Sequence, residues 1–274
     1  SNTLTLNGNL TSAGGTGSGD GAGATITLSD AVLLGAGVLL DTGTTGGDIT
    51  FASTVNGAQT LGLTSGTGNI LFTGTVGNAT PLGAVTVNAA ANVTLTTTLA
   101  SAGFSQNTSG TGTTQVGGLL TSTGAVKLDA VTVDLNAGIT TTTGGAAGLV
   151  TLNAATLVDL LAAQVITTTA TAGGGADTVI SGAVDINVSG TGTVNLAGTL
   201  VTTGDNNSGG VGSAGGAVTI DTTNGAIAVA GITTSGGTGS GALGGAAGVI
   251  TLTDAGSNTL TLNGNLTSAG GTGS

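Results

Sequence analysis

The groups able to carry acid–base, nucleophilic or metal chemistry are few in this chain. All 12 acidic residues are Asp, Lys127 is the sole cation, and there is no Arg, His, Cys, Met, Tyr or Trp. General acid–base catalysis needs two positioned titratable groups, commonly with a cation beside them. The densest charged cluster is Lys127, Asp129 and Asp134 in VKLDAVTVDL. Its alternation with apolar residues places these side chains on an outward, solvated face, where an ion pair is weak. Residues 172–179, AGGGADTV, partly fit the Gly-Gly-x-Gly-x-Asp-x-apolar unit of calcium rolls, with Asp177 in the ligand position. That unit works only in tandem, and a single imperfect copy reads as a glycine-rich turn with a solubilising Asp. Asp20 and Asp205 lie in Gly/Ser/Asn loops and offer weak calcium ligands at most. The glycine-rich stretches 14–23, 204–216 and 236–248 lack the Lys-Ser/Thr ending of a phosphate-binding loop. No catalytic, cofactor-binding or metal-ligating residue is assigned, no cofactor is expected, and the chain is not read as an enzyme.

Composition excludes further classes. With 274 residues, net charge −11 and one Lys, the chain cannot replace the counterions of a nucleic acid. Anionic membrane surfaces are disfavoured for the same reason. The longest apolar run, residues 157–166, is broken by Asp159 and Gln164 and is too short to span a bilayer. Mean hydropathy of +0.48 and 38% apolar residues argue against disorder. One Pro among 56 Gly argues against collagen. Gly and Thr at this density, with aliphatic residues in short runs, describe β-strands joined by turns.

Repetition sets the architecture. Residues 1–18, SNTLTLNGNLTSAGGTGS, recur without a mismatch at residues 257–274, an offset of 256. The chain is therefore read as one full repeat, residues 1–256, followed by residues 257–274 as the start of the next identical one. A finer period lies inside. Apolar-x-apolar strands begin at Leu4, Ile26, Ile49, Ile70, Val93, Val126 and Val150, spaced by 22, 23, 21, 23, 33 and 24 residues. Segments such as VNLAGTLVTT (194–203) and IAVAGITT (227–234) read as strand, small-residue turn, strand, then a glycine-rich loop and a third strand. Three short strands per 22–33 residues predict a parallel β-helix of roughly ten coils. Strands this short bury a core only when stacked coil on coil, which also removes lateral edges. Asn after an apolar residue, as at Asn7, Asn88, Asn136 and Asn153, is expected in left-handed corners or in amide ladders between coils. Phe51, Phe72 and Phe104 are expected inside, and Thr on outward faces. The three glycine-rich loops are expected to line up along one side.

Residues 47–70, GDITFASTVNGAQTLGLTSGTGNI, and 71–87, LFTGTVGNATPLGAVTV, carry a further signal. They resemble the G-D-I-T-F…G-T-G-N-I…F-T-G-x-V-G…P-L-G repeats of large secreted bacterial proteins, the filamentous-haemagglutinin-like and autotransporter-passenger class. The resemblance implies a right-handed coil, export to the bacterial cell surface, and adhesion or fibre formation. It transfers no catalytic residue. The expected function is the structural shaft of a surface adhesin or extracellular fibre. Adjacent repeats join end to end, and identical shafts meet side by side through the glycine-rich loops. An ice-binding threonine surface and a polysaccharide-active enzyme are the alternatives.

Overall fold

The computed structural model describes residues 2–14, 21–107, 112–141, 145–171, 179–240 and 244–273. Among these, 25 strands and no helix are present. Every strand pairing is parallel. A parallel neighbour cannot be reached through a tight hairpin, so each strand pairs with one a whole circuit further along the chain.

The pairings sort into three ladders, visited in the order A, B, C. Ladder A runs through the inward residues Leu4, Val32, Val55, Val76, Leu99, Leu120, Ile139, Ile166, Leu200, Ile232 and Leu266, each the register partner of the next. Ladder B runs from Val38 through Leu61, Val85, Phe104, Val126, Val150, Val184 and Val218 to Ile250. Leu10–Thr11 lies beneath its first strand. Ladder C runs from Ile26 through Ile49, Ile70, Val93, Thr114, Val133, Val158, Val194 and Ile227 to Leu260. Long strands such as Val126–Leu135 and Val150–Leu160 turn the corner from B to C without breaking, with a register shift at the bend.

Strand alternation gives each ladder an inward row, and these rows form one continuous apolar core. Phe51, Phe72 and Phe104 are fully buried as expected, and the rings of Phe51 and Phe72 stack with centroids 4.6 Å apart. The one polar intrusion in the inward row of ladder C is Thr114. Its hydroxyl donates to Gln106 Oε1 at 2.7 Å, so the buried pair satisfies itself.

Three expectations need correction. The seven strands read as one series belong to different ladders: Leu4 lies in A, Ile26 to Val93 in C, and Val126 and Val150 in B. The partner of Val93 is Thr114, in the polar strand Thr113–Val116, which hydropathy passes over. Asn7, Asn88, Asn136 and Asn153 do not occupy left-handed corners; among the described residues that conformation falls to Ala163 and to Gly43, Gly57, Gly66, Gly77 and Gly190. Asn153 instead sits in an extended strand with its amide bonded to neighbouring layers. Finally, the glycine-rich stretches 204–216 and 236–248 both connect ladder A to ladder B, whereas 14–23 connects B to C.

Candidate functional site

Two polar devices recur around the core, one built on buried hydroxyls and glycines, the other on outward amides and carboxylates.

The first closes the long loops. In ladder A from Leu99 to Ile232, the residue two past the inward apolar side chain is Ser or Thr: Ser101, Ser122, Thr141, Thr168, Thr202 and Thr234, all buried. The Thr141 hydroxyl donates to Gly148 O at 2.6 Å, Thr168 to Gly182 O at 2.5 Å, Thr202 to Gly216 O at 2.6 Å and Thr234 to Gly248 O at 2.8 Å. Each accepting glycine lies two residues before the next strand of ladder B. The hydroxyl therefore joins the points where the chain leaves the core and returns to it. Residues 7 and 14 positions apart in the chain are joined by the same contact. The glycines themselves form a column. A Cβ on Gly148 would lie 2.1 Å from Gly124 O, one on Gly182 2.1 Å from Gly148 O, one on Gly216 2.0 Å from Gly182 O, and one on Gly248 2.0 Å from Gly216 O. No side chain fits where the carbonyl of the preceding layer already sits.

Beyond these latches the loops hydrogen-bond to one another. Gly204 N donates to Ser235 O at 2.8 Å and Asn207 N to Thr238 O at 2.8 Å; the next layer repeats this with Gly236 N to Ala269 O and Gly239 N to Thr272 O, both 2.9 Å. The glycine-rich composition thus builds an added backbone-paired layer on one corner of the molecule. Asp205 lies in it, with its Oδ1 accepting from Asn206 N at 2.9 Å. The same latch occurs at a different corner, between ladders B and C: Thr42 donates to Gly47 O at 2.7 Å, Ser65 to Gly68 O at 2.9 Å and, late in the chain, Thr222 to Gly225 O at 2.7 Å.

The second device is a set of polar ladders. Asn187 Nδ2 donates to Asn153 Oδ1 at 3.0 Å, and Asn153 Nδ2 donates to Asp129 Oδ1 at 2.5 Å. Lys127 pairs with the other oxygen of Asp129 at 2.5 Å. The same order appears where Asn92 Nδ2 donates to Asn69 Oδ1 at 2.7 Å and Asn69 Nδ2 to Asp48 Oδ1 at 3.0 Å. An amide both donates and accepts, so the last amide of a column has an N–H left over for a terminal acceptor. A carboxylate supplies that. Asp134 and Asp159 act likewise, accepting from Gln115 and from Asn195.

Lys127 and Asp129 thus come together as the sequence suggested, while Asp134 belongs to a separate ladder with Gln115 and Asn136. The groove over Asp129, Asn153 and Asn187 has a volume of about 500 Å³ and is floored by side chains that already satisfy each other. Asp20 and Asp177 lie outside the described residues. Among the described residues no group of three or more His, Cys, Asp or Glu could hold a metal ion. The outward row of ladder C reads Thr27, Thr50, Leu71, Thr94, Gln115, Asp134, Asp159, Asn195, Ala228 and Thr261, a mixed row rather than a flat threonine lattice. Among the described residues one carboxylate titration is displaced: backbone N–H donation from Gly256 chiefly, opposed next by desolvation and then reinforced by Asn258 and Thr222, holds Asp254 below its usual 3.8.

The hydroxyl latch is the feature sequence reading missed. Its signal is apolar-x-Ser/Thr followed, after any number of residues, by Gly-x-apolar. Comparison with known proteins finds no matching family model, no similar curated protein and no similar solved structure.

Proposed function

We propose that this chain is the shaft of a secreted bacterial surface adhesin or extracellular fibre, wound as a right-handed parallel β-helix of about ten coils. The observation that carries the reading is the set of three parallel ladders, each continuing layer by layer from one end of the chain to the other around a single apolar core. Layers spaced about 4.8 Å apart convert sequence length directly into axial length. Such a rod transmits force through backbone hydrogen bonds and presents no lateral strand edge to neighbours. The outward Thr, Asn and Asp rows keep it wetted, and the latched glycine loops thicken one corner without interrupting the ladders. The resemblance of residues 47–87 to filamentous-haemagglutinin-like repeats supports the extracellular, adhesive assignment, and the duplicated 18-residue segment supports tandem repetition.

Cryo-electron microscopy of the native full-length material tests this. Unbranched shafts with a layer spacing of about 4.8 Å along the axis are expected. Compact separate particles with a concave Asp-lined groove would overturn the structural reading and favour a polysaccharide-active one.

A further inference from the structure

The duplicated segment occupies two different places. In the first copy, Thr3–Leu6 lies in ladder A and Leu10–Thr11 in ladder B. In the second, Leu260–Leu262 lies in ladder C and Leu266–Thr267 in ladder A. Identical sequence therefore sits one side further back around the molecule.

The ladder registers fix the reason. From Leu4, ladder A completes nine circuits at Val32, Val55, Val76, Leu99, Leu120, Ile139, Ile166, Leu200 and Ile232. Two more sides, Ile250–Asp254 in B and Leu260–Leu262 in C, bring the chain to the second copy. Nine circuits of three sides and two further sides make 29 sides, a number not divisible by three. One 256-residue repeat is thus nine and two-thirds circuits.

The two ends also fit each other. In the first copy the layer above Thr3–Leu6 is Ala31–Leu34, and the layer above Leu10–Thr11 is Val38–Asp41. The second copy offers the same side chains with that layer missing: Leu260 and Leu262 are 47% and 51% exposed, although they repeat Leu4 and Leu6 in sequence. The register on this sequence is already demonstrated for the stretch equivalent to residues 31–41.

We propose that the end formed by Ile250–Asp254, Leu260–Leu262 and Leu266–Thr267 is the docking surface for the next repeat of this same chain. The equivalent of Ile26–Leu28 then enters ladder B, that of Ala31–Leu34 ladder C, and that of Val38–Asp41 ladder A. Each repeat is set a third of a turn from the one before, and the array returns to register only after three repeats, or 29 circuits. This rests on the shaft reading above. The phase has a consequence for the surface. The latched loops of the second part of one repeat, between A and B, run on without interruption into those of the first part of the next. They then move to another corner, so glycine-rich loops are distributed over all three corners instead of one.

The chain has no Cys, so a single site per repeat can be labelled cleanly. Ser208 is exposed in the loop joining ladder A to ladder B. Cryo-electron microscopy of the native chain carrying S208C in every repeat, tagged with a maleimide gold cluster, reads the phase against the three sheets in the same map. The expected result is labels about 46 Å apart along the axis, at about 4.8 Å per layer, appearing on each of the three corners in turn. Labels on the same corner in every repeat, on a continuous 4.8 Å ladder, would overturn the one-third-turn offset while leaving the shaft intact. Absence of the continuous ladder would instead remove the shaft reading on which the offset rests.

Discussion

The first hundred residues and the remainder solve one problem with the same parts placed differently. Up to Val76 the circuits of ladder A take 21 to 28 residues, and from Ile139 onward they take 27 to 34. In the first region the hydroxyl latches, Thr42 and Ser65, lie between ladders B and C and close spans of five and three residues. In the second, Thr141, Thr168, Thr202 and Thr234 lie between A and B and close spans of up to 14, while a short latch of the first kind persists between B and C at Thr222 and Gly225. At the end of the first region the position equivalent to Ser65 is Ala90, buried and without a hydroxyl. The core is common to both regions. What differs is which corner carries added chain, and the latch is what permits the addition. Loop closure grows only slowly in entropic cost with length, so a contact that fixes the two ends of a loop tolerates 14 residues nearly as well as five.

The comparison predicts unequal responses to substitution. The largest effect belongs to the first region's aromatic stack. Phe51→Ala removes a fully buried ring packed on Phe72 and should destabilise by about 4 kcal/mol, read as a loss in denaturant midpoint. Next comes the glycine column of the second region. Gly216→Ala places a methyl where Gly182 O lies 2.0 Å away and should cost about 2 kcal/mol or more. Gly8→Ala, with nothing within 4 Å, should leave the midpoint unchanged. Equal midpoints for these two variants would refute the close approach of the column.

Latch removal should separate the regions most clearly. Thr202→Val leaves Gly216 O without its hydroxyl donor and should cost about 1–2 kcal/mol, with limited proteolysis cutting within residues 203–215. Thr42→Val should cost a similar amount without opening a new cleavage site, because its span is only five residues. The polar ladders give a smaller effect of about 1 kcal/mol: Asp129→Ala strands the Asn153 amide, whereas Asp129→Asn keeps an acceptor there and should recover most of the loss. Smallest is the pH response of Asp254. Its folded-state value is lowered, so its contribution is present above the ordinary carboxylate value of 3.8 and is lost as pH falls through the folded value. Asp254→Ala should flatten that acid limb in a pH titration of thermal stability.

Much of this architecture was legible in the sequence, and the remainder was hidden for identifiable reasons. Period-two alternation located Ile26, Ile49, Ile70 and Val93 in the order in which they stack. It failed at Thr113–Val116, because an inward Thr satisfied by Gln106 looks polar in one dimension. It also merged three ladders into one series, since spacing alone cannot tell a full circuit from two-thirds of one or from one and two-thirds. Amide ladders between Asn residues were anticipated from composition, but their termination by Asp requires knowing which layers are adjacent. The latch threonines read as surface residues because their partners are glycine carbonyls up to 14 residues away, a contact with no sequence period.

The central claim is that three parallel, in-register ladders run through both regions. Nitroxide spin labels on Cys pairs at outward register partners test it most directly, with one pair per ladder: Thr151 and Asp185 in B, Asp159 and Asn195 in C, Thr167 and Val201 in A. Partners in adjacent parallel layers lie about 4.8 Å apart, so continuous-wave spectra of all three doubly labelled proteins should show strong spin–spin broadening that is absent from each single label. Broadening missing from any one pair, in protein that keeps its β-sheet circular dichroism, would contradict the ladder that pair reports.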